Sequence, residues 1–113
     1  MAERTILQKN LLVRASTLND SAGLDAGAGS RSRESALYVD WPVGTVSGKV
    51  KVETATHLAY GGTWAAQGTE VTFSGTAPKQ DVVQITGTYL AIRTRVSEAV
   101  VGGAGVSTVF VSN

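Results

Sequence analysis

The chain has 113 residues, no cysteine, and ten Lys/Arg against nine Asp/Glu. That length fits one domain with a single core, which buries roughly 60–70% of the surface its unfolded chain exposes and needs no metal or disulfide to fold. The missing cysteine excludes disulfides, thiolate metal sites and cysteine nucleophiles, and a formal charge of +1 with pI near 8.1 argues against a nucleic-acid partner.

Charged residues make up 17% of the chain, against about 25% in an average soluble protein. With 13 glycines and an abundance of Thr, Ser, Val and Ala, this composition fits an all-β domain with many turns. Sparse charge suits two readings equally: a neutral monomer, or a surface partly covered by other subunits. The opening "MAERTILQKN" shows no apolar stretch of signal-peptide type, and no run approaches the 18 apolar residues of a membrane span.

Residues 4–16, "RTILQKNLLVRAS", place Ile6, Leu7, Leu11 and Leu12 at helical spacing and Leu11, Val13 and Ala15 at strand spacing. Without a capping box the reading favours a strand or an extended arm. Residues 17–35, rich in Gly, Ala, Ser, Asn and Asp, read as a long loop. "ALYVDW" (36–41) is a strand stopped by Pro42 and Gly44. "TVSGKVKVET" (45–54) alternates, with Val46, Gly48, Val50, Val52 and Thr54 on one side and Ser47, Lys49, Lys51 and Glu53 on the other. A turn at Gly61-Gly62 follows, then short strands in "EVTFSG" and "DVVQITG" around Ala77-Pro78-Lys79. "GTYLAIRTRV" (87–96) comes next, then a "VGGAG" turn and a last strand, "VSTVFVS". Roughly seven or eight strands, with turn signals about every 10 residues, predict an antiparallel β-sandwich, jelly-roll-like. Residues 1–34 are expected to form an arm and loop on a sandwich of residues 35–113, within a single structural domain overall.

Motifs for chemistry are weak. His57 is the one histidine, and metal binding normally needs further ligands beside it. The acidic residues are scattered. "NDSAGLD" (19–25) lacks the alternating ligands and closing Glu of an EF-hand. "GTVSGK" (44–49) has three residues between its glycines, Val50 where Ser/Thr is needed, and a strand where phosphate requires a helix N-terminus. No catalytic residue, cofactor or metal site is expected.

Two constellations remain. His57, Tyr60 and Trp64 lie around the Gly61-Gly62 turn, where aromatic faces can stack on a sugar; the competing expectation is that Trp64 is a core residue. In "TYLAIRTRV", alternation puts Leu90, Ile92, Thr94 and Val96 on one side and Tyr89, Ala91, Arg93 and Arg95 on the other. Two arginines two residues apart repel unless countered by Glu53, Glu70 or another subunit. Tyr and Arg are enriched in interfaces, so this side is either a cross-strand-paired outer face or an assembly contact.

The order of segments "ALYVDW", "SGKVKVETA", "GGTWAAQGT", "GTYLAIRTRV" and "STVFVS" resembles the small β-sandwich structural proteins of tailed bacteriophage virions, over about residues 35–113. In those proteins a G-x-V-x-V-E-x-S strand is followed by G-x-x-W-x-x-x-G-T, a Y-L-x-I/V-R-x-x-V strand and a closing T-V-x-V strand. This chain departs in having Ala59-Tyr60-Gly61-Gly62 where an Asp-Gly turn is common. The resemblance implies a non-enzymatic virion component, a head decoration (cement) or tail-associated protein, that stabilises the shell by binding between capsid subunits. It implies the major capsid protein or other virion proteins as partners, a homo-oligomer with a trimer favoured, and neither nucleic acid nor membrane. Tyr89, Arg93, Arg95, Arg31 and Arg33 are its expected assembly contacts. The alternative is a carbohydrate-binding sandwich using His57, Tyr60 and Trp64.

Overall fold

A computed structural model describes residues 7–25, 35–68, 70–85 and 91–112. These residues form strands and no helix: β1 (Leu7–Asn10), β2 (Ser21–Asp25), β3 (Ser35–Trp41), β4 (Ser47–Ala55), β5 (Ala65–Ala66), β6 (Val71–Thr72), β7 (Lys79–Ile85), β8 (Ala91–Val101) and β9 (Ser107–Ser112). One sheet has the order β1-β9-β3-β7; the other runs β2-β8-β4-β5, with β6 also on β4.

The connectivity is that of a jelly roll. The first strand pairs with the last, the second with the second-last (β2 with β8), and β3 with β7; β4 pairs with the short β5 and β6. This folded-over ribbon is then rolled, so that β3 also meets β9 and β4 also meets β8, which completes the two sheets. All pairings are antiparallel.

Period-2 patterning decides which side of each strand is inside. Leu37, Val39 and Trp41 from β3 and Phe110 from β9 face Val50 and Val52 from β4 and Ile92 and Val96 from β8, all buried in one core. Trp41 is held at both ends. Its ring meets Phe73 edge-on at 5.4 Å, and its Nε1 donates to Asp81 Oδ2 at 2.9 Å. Thr94 and Thr108 are fully buried within this apolar layer, and their hydroxyls meet across the two sheets at 2.8 Å. Thr108 Oγ1 also accepts the Leu12 amide at 2.9 Å. The polar groups are therefore satisfied inside the core, as burial requires.

Three sequence expectations need correction. The described part of residues 1–34 is not an arm. β1 pairs with β9, Ala15 bridges to Val106, and Leu11, Leu12 and Ala15 are buried in the core. The expected loop of residues 17–35 contains β2, whose Ala22 and Leu24 pack against that core. Val46 does not join the inward row of β4 but is 68% exposed. The β4–β8 register shifts between Ser47 and Val50, and such irregularity re-aims the side chains before it. Gly102, at φ +79, lies directly against the Gly44 carbonyl, so the β3–β4 and β8–β9 turns interlock at this end of the sandwich with no room for a side chain.

Candidate functional site

Arg93 and Arg95 stand on the outer face of the β2-β8-β4 sheet, as strand alternation expects, while Ile92, Thr94 and Val96 point into the core. The register sets Glu53 directly across from Arg93 and one step diagonal to Arg95, which itself faces Lys51. The Glu53 carboxylate lies between the two cations. It accepts from Arg93 Nε at 2.9 Å and, on both oxygens, from Arg95 Nε and Nη2 at 3.2 Å each. Arg95 Nη1 reaches on to Asn19 Oδ1 at 3.0 Å, which ties the β1–β2 connection to the sheet.

Glu53 is 6% exposed. Its burial alone pushes the carboxyl pKa up. The hydrogen bonds from Arg95 and Arg93, together with their positive charges, outweigh that and hold it below the ordinary value of 4.5. The repulsion between like charges two residues apart on one strand is thus offset within the chain by one carboxylate shared between two cations. Glu70 completes the row differently: it takes a short hydrogen bond from Ser97 and an ion pair with Lys49 at 3.9 Å, while Lys49 also meets Glu98 at 3.5 Å.

The loop of residues 56–64 folds over the same face. Leu58 packs above Gly23, where a Cβ would lie 2.7 Å from Arg93 Cβ and 3.0 Å from Leu58 Cδ1. Trp64 lies under the Arg93 guanidinium, 4.2 Å from the ring centroid, and its Nε1 donates to the Tyr60 carbonyl at 3.0 Å. Trp64 is 5% exposed. It is therefore not the open stacking platform that the carbohydrate reading requires, and that part of the expectation is corrected. His57 and Tyr60 remain at the surface, packed edge-on against each other at 5.8 Å.

The structure thus joins Arg93 and Arg95 to Glu53, one of the two cross-strand partners expected, brings Trp64 to Arg93 and adds Asn19. The rings of His57 and Tyr60 pair at the surface, with Tyr60 tied to Trp64 through its backbone carbonyl. Tyr89, Arg31 and Arg33 lie outside the described residues. In "NDSAGLD", Asp20 Oδ2 accepts the Thr17 amide at 3.2 Å, which is turn chemistry. Among the described residues no group of three or more His, Asp or Glu is placed to hold a metal ion. One open groove, about 470 Å³ and mixed in character, runs between β6 and β7 and is lined in part by Glu70, Thr72, Lys79 and Asp81.

In comparisons with known protein families, curated proteins and solved structures, no match to this chain was found.

Proposed function

We propose that this chain is a non-enzymatic structural subunit of a tailed-phage virion, a capsid decoration protein that binds between neighbouring shell subunits. The observation that carries the reading is the jelly-roll connectivity, with first strand on last and third on third-last. This architecture recurs in viral capsid and lectin domains. Since fold alone does not set function, the motif likeness over residues 35–113 adds the virion to that choice. The burial of Trp64 under Arg93 weighs against the lectin branch.

The mechanism is mechanical. A subunit that contacts two shell proteins at once converts the second contact into an intramolecular one, and avidity follows without a large interface. Arg31, Arg33 and Tyr89 supply shell contacts in this reading, with Arg93 and Arg95 as the rigid base already anchored to Glu53. Imaging of purified virions tests it: the chain is expected as ordered copies at symmetry-related positions on the head. Particles that lack the chain, from cells that produce it, would overturn the reading.

A further inference from the structure

The two outer faces of the sandwich differ in chemistry. That of the β2-β8-β4 sheet carries Lys49, Lys51, Glu53, Arg93, Arg95 and Glu98. On the β1-β9-β3-β7 sheet the outward strand positions hold, among the described residues, one side chain that is charged at neutral pH, Asp40, besides the phenol of Tyr38. The strand registers lay this face out in rows. Gln8, Val111, Ala36 and Gln84 form the first. Asn10, Val109, Tyr38 and Val82 form the second. Ser107, Asp40 and Gln80 form the third, at the end.

Apolar side chains fill the middle of the face, and amides line both of its edges. Val82 is 51% exposed; Ala36, Tyr38, Val109 and Val111 are half-buried by their neighbours. An antiparallel sheet with one face in water alternates apolar inside with polar outside. β9 departs from that rule, because Val109 and Val111 face outward while Phe110 faces the core. An apolar centre with a polar rim, charged here only at Asp40, is the anatomy of a protein interface.

We propose that this face is the contact between copies of this chain, two copies packing their β1-β9-β3-β7 sheets against each other. The occupant follows from charge and hydrogen bonding. A face with one charge per copy can meet a copy of itself in a register that opposes no like charges. Gln80 Nε2 already donates to Asp40 Oδ1 at 2.8 Å within the chain, and the remaining donors and acceptors of the rim amides on one copy face those on the other. A two-fold axis across the strands through the Tyr38 row places each Asp40 over the partner's Ala36 row. The two carboxylates are then four residues apart along the strand direction, roughly 13 Å, beyond the screening length of about 8 Å at physiological salt. Four strands about 4.8 Å apart present roughly 300 Å² of sheet per copy, below the roughly 800 Å² per partner of a stable interface. The contact is therefore weak and forms only by mass action at high concentration, as when copies are gathered on an assembly.

The proposal names the self-assembly surface of the virion subunit described above but stands on the sheet's chemistry alone. Sedimentation equilibrium of the full chain, from about 10 μM to about 1 mM, reads it directly. The average mass is expected to rise toward the dimer. Val82→Glu, and separately Gln80→Lys with Gln84→Lys at the exposed rim, are expected to weaken association at least about tenfold. Thr72→Glu, exposed on β6 of the other sheet, is expected to leave association unchanged. Thermal unfolding of each variant confirms that it is folded. A wild-type chain monomeric at about 1 mM overturns the proposal. So does association that the folded face variants leave intact, or that Thr72→Glu weakens equally. Association by this face in a chain absent from virions sinks the virion reading alone; a virion-bound but monomeric chain sinks this one alone.

Discussion

The Arg93 guanidinium covers the ring of Trp64 at 4.2 Å, and this contact closes one of the aromatic faces that the sequence offers to a sugar. A cation over an indole contributes about 0.5–2 kcal/mol, and Arg93 also donates to Glu53. Arg93→Ala is expected to destabilise the fold by about 1–3 kcal/mol. It should also open Trp64 to iodide quenching, while Trp41, 1% exposed, stays protected. Unchanged quenching would mean that other groups shield the ring.

Glu53 makes stability depend on pH in the acid range. Its folded pKa lies below the ordinary 4.5, so the native state binds its proton less readily than the unfolded chain. The contribution is complete above about pH 4.5 and is lost as pH falls through the lower folded value. At pH 7, Glu53→Gln is expected to cost about 2–4 kcal/mol, because two cations are left facing each other over a neutral amide. The gap between variant and wild type should narrow as the pH is lowered below 4.5. Denaturation midpoints across the acid range measure it; a gap constant with pH would show that the carboxylate's charge does not matter.

The hydroxyls of Thr94 and Thr108 join the sheets inside the core. Thr108→Val removes the acceptor of the Leu12 amide and leaves a buried donor unmet, at a cost of about 1–3 kcal/mol. Thr94→Val leaves the Thr108–Leu12 bond in place and is expected to cost less. In a double-mutant cycle the pair should be non-additive by at least about 0.5 kcal/mol. Strict additivity would mean that the two hydroxyls act independently.

Leu12, 4% exposed, tests whether the N-terminal segment belongs to the sandwich. Leu12→Ala should destabilise by about 2–5 kcal/mol, and removal of residues 1–16 should prevent cooperative unfolding altogether, since β1 and three core residues go with them. A truncated chain that still unfolds cooperatively near the wild-type midpoint would return the segment to the role of a detachable arm.

Strand identity was legible wherever inside and outside differ strongly. "ALYVDW" and "KVKVET" alternate cleanly, and β3 and β4 lie within two residues of the expected spans. β2 was missed because Ser21–Asp25 contains two apolar side chains and a glycine, a weak signal among turn formers. The signal that would have found it is the alternation of Ala22 and Leu24. The bulge that turns Val46 outward has no signature in residue type.

By itself, then, the sequence determined the all-β class, the inward rows of the central strands and the outward placing of Arg93 and Arg95, because side-chain period is a local property of an extended chain. Tertiary structure decided what those rows meet. That Glu53 and not Glu70 sits between the arginines, that Trp64 is capped, and that Tyr38, Val82, Val109 and Val111 share one face all depend on which strands are neighbours and in what register. Pairing partners many residues apart are chosen by the global packing of the core, and no window of sequence contains that choice.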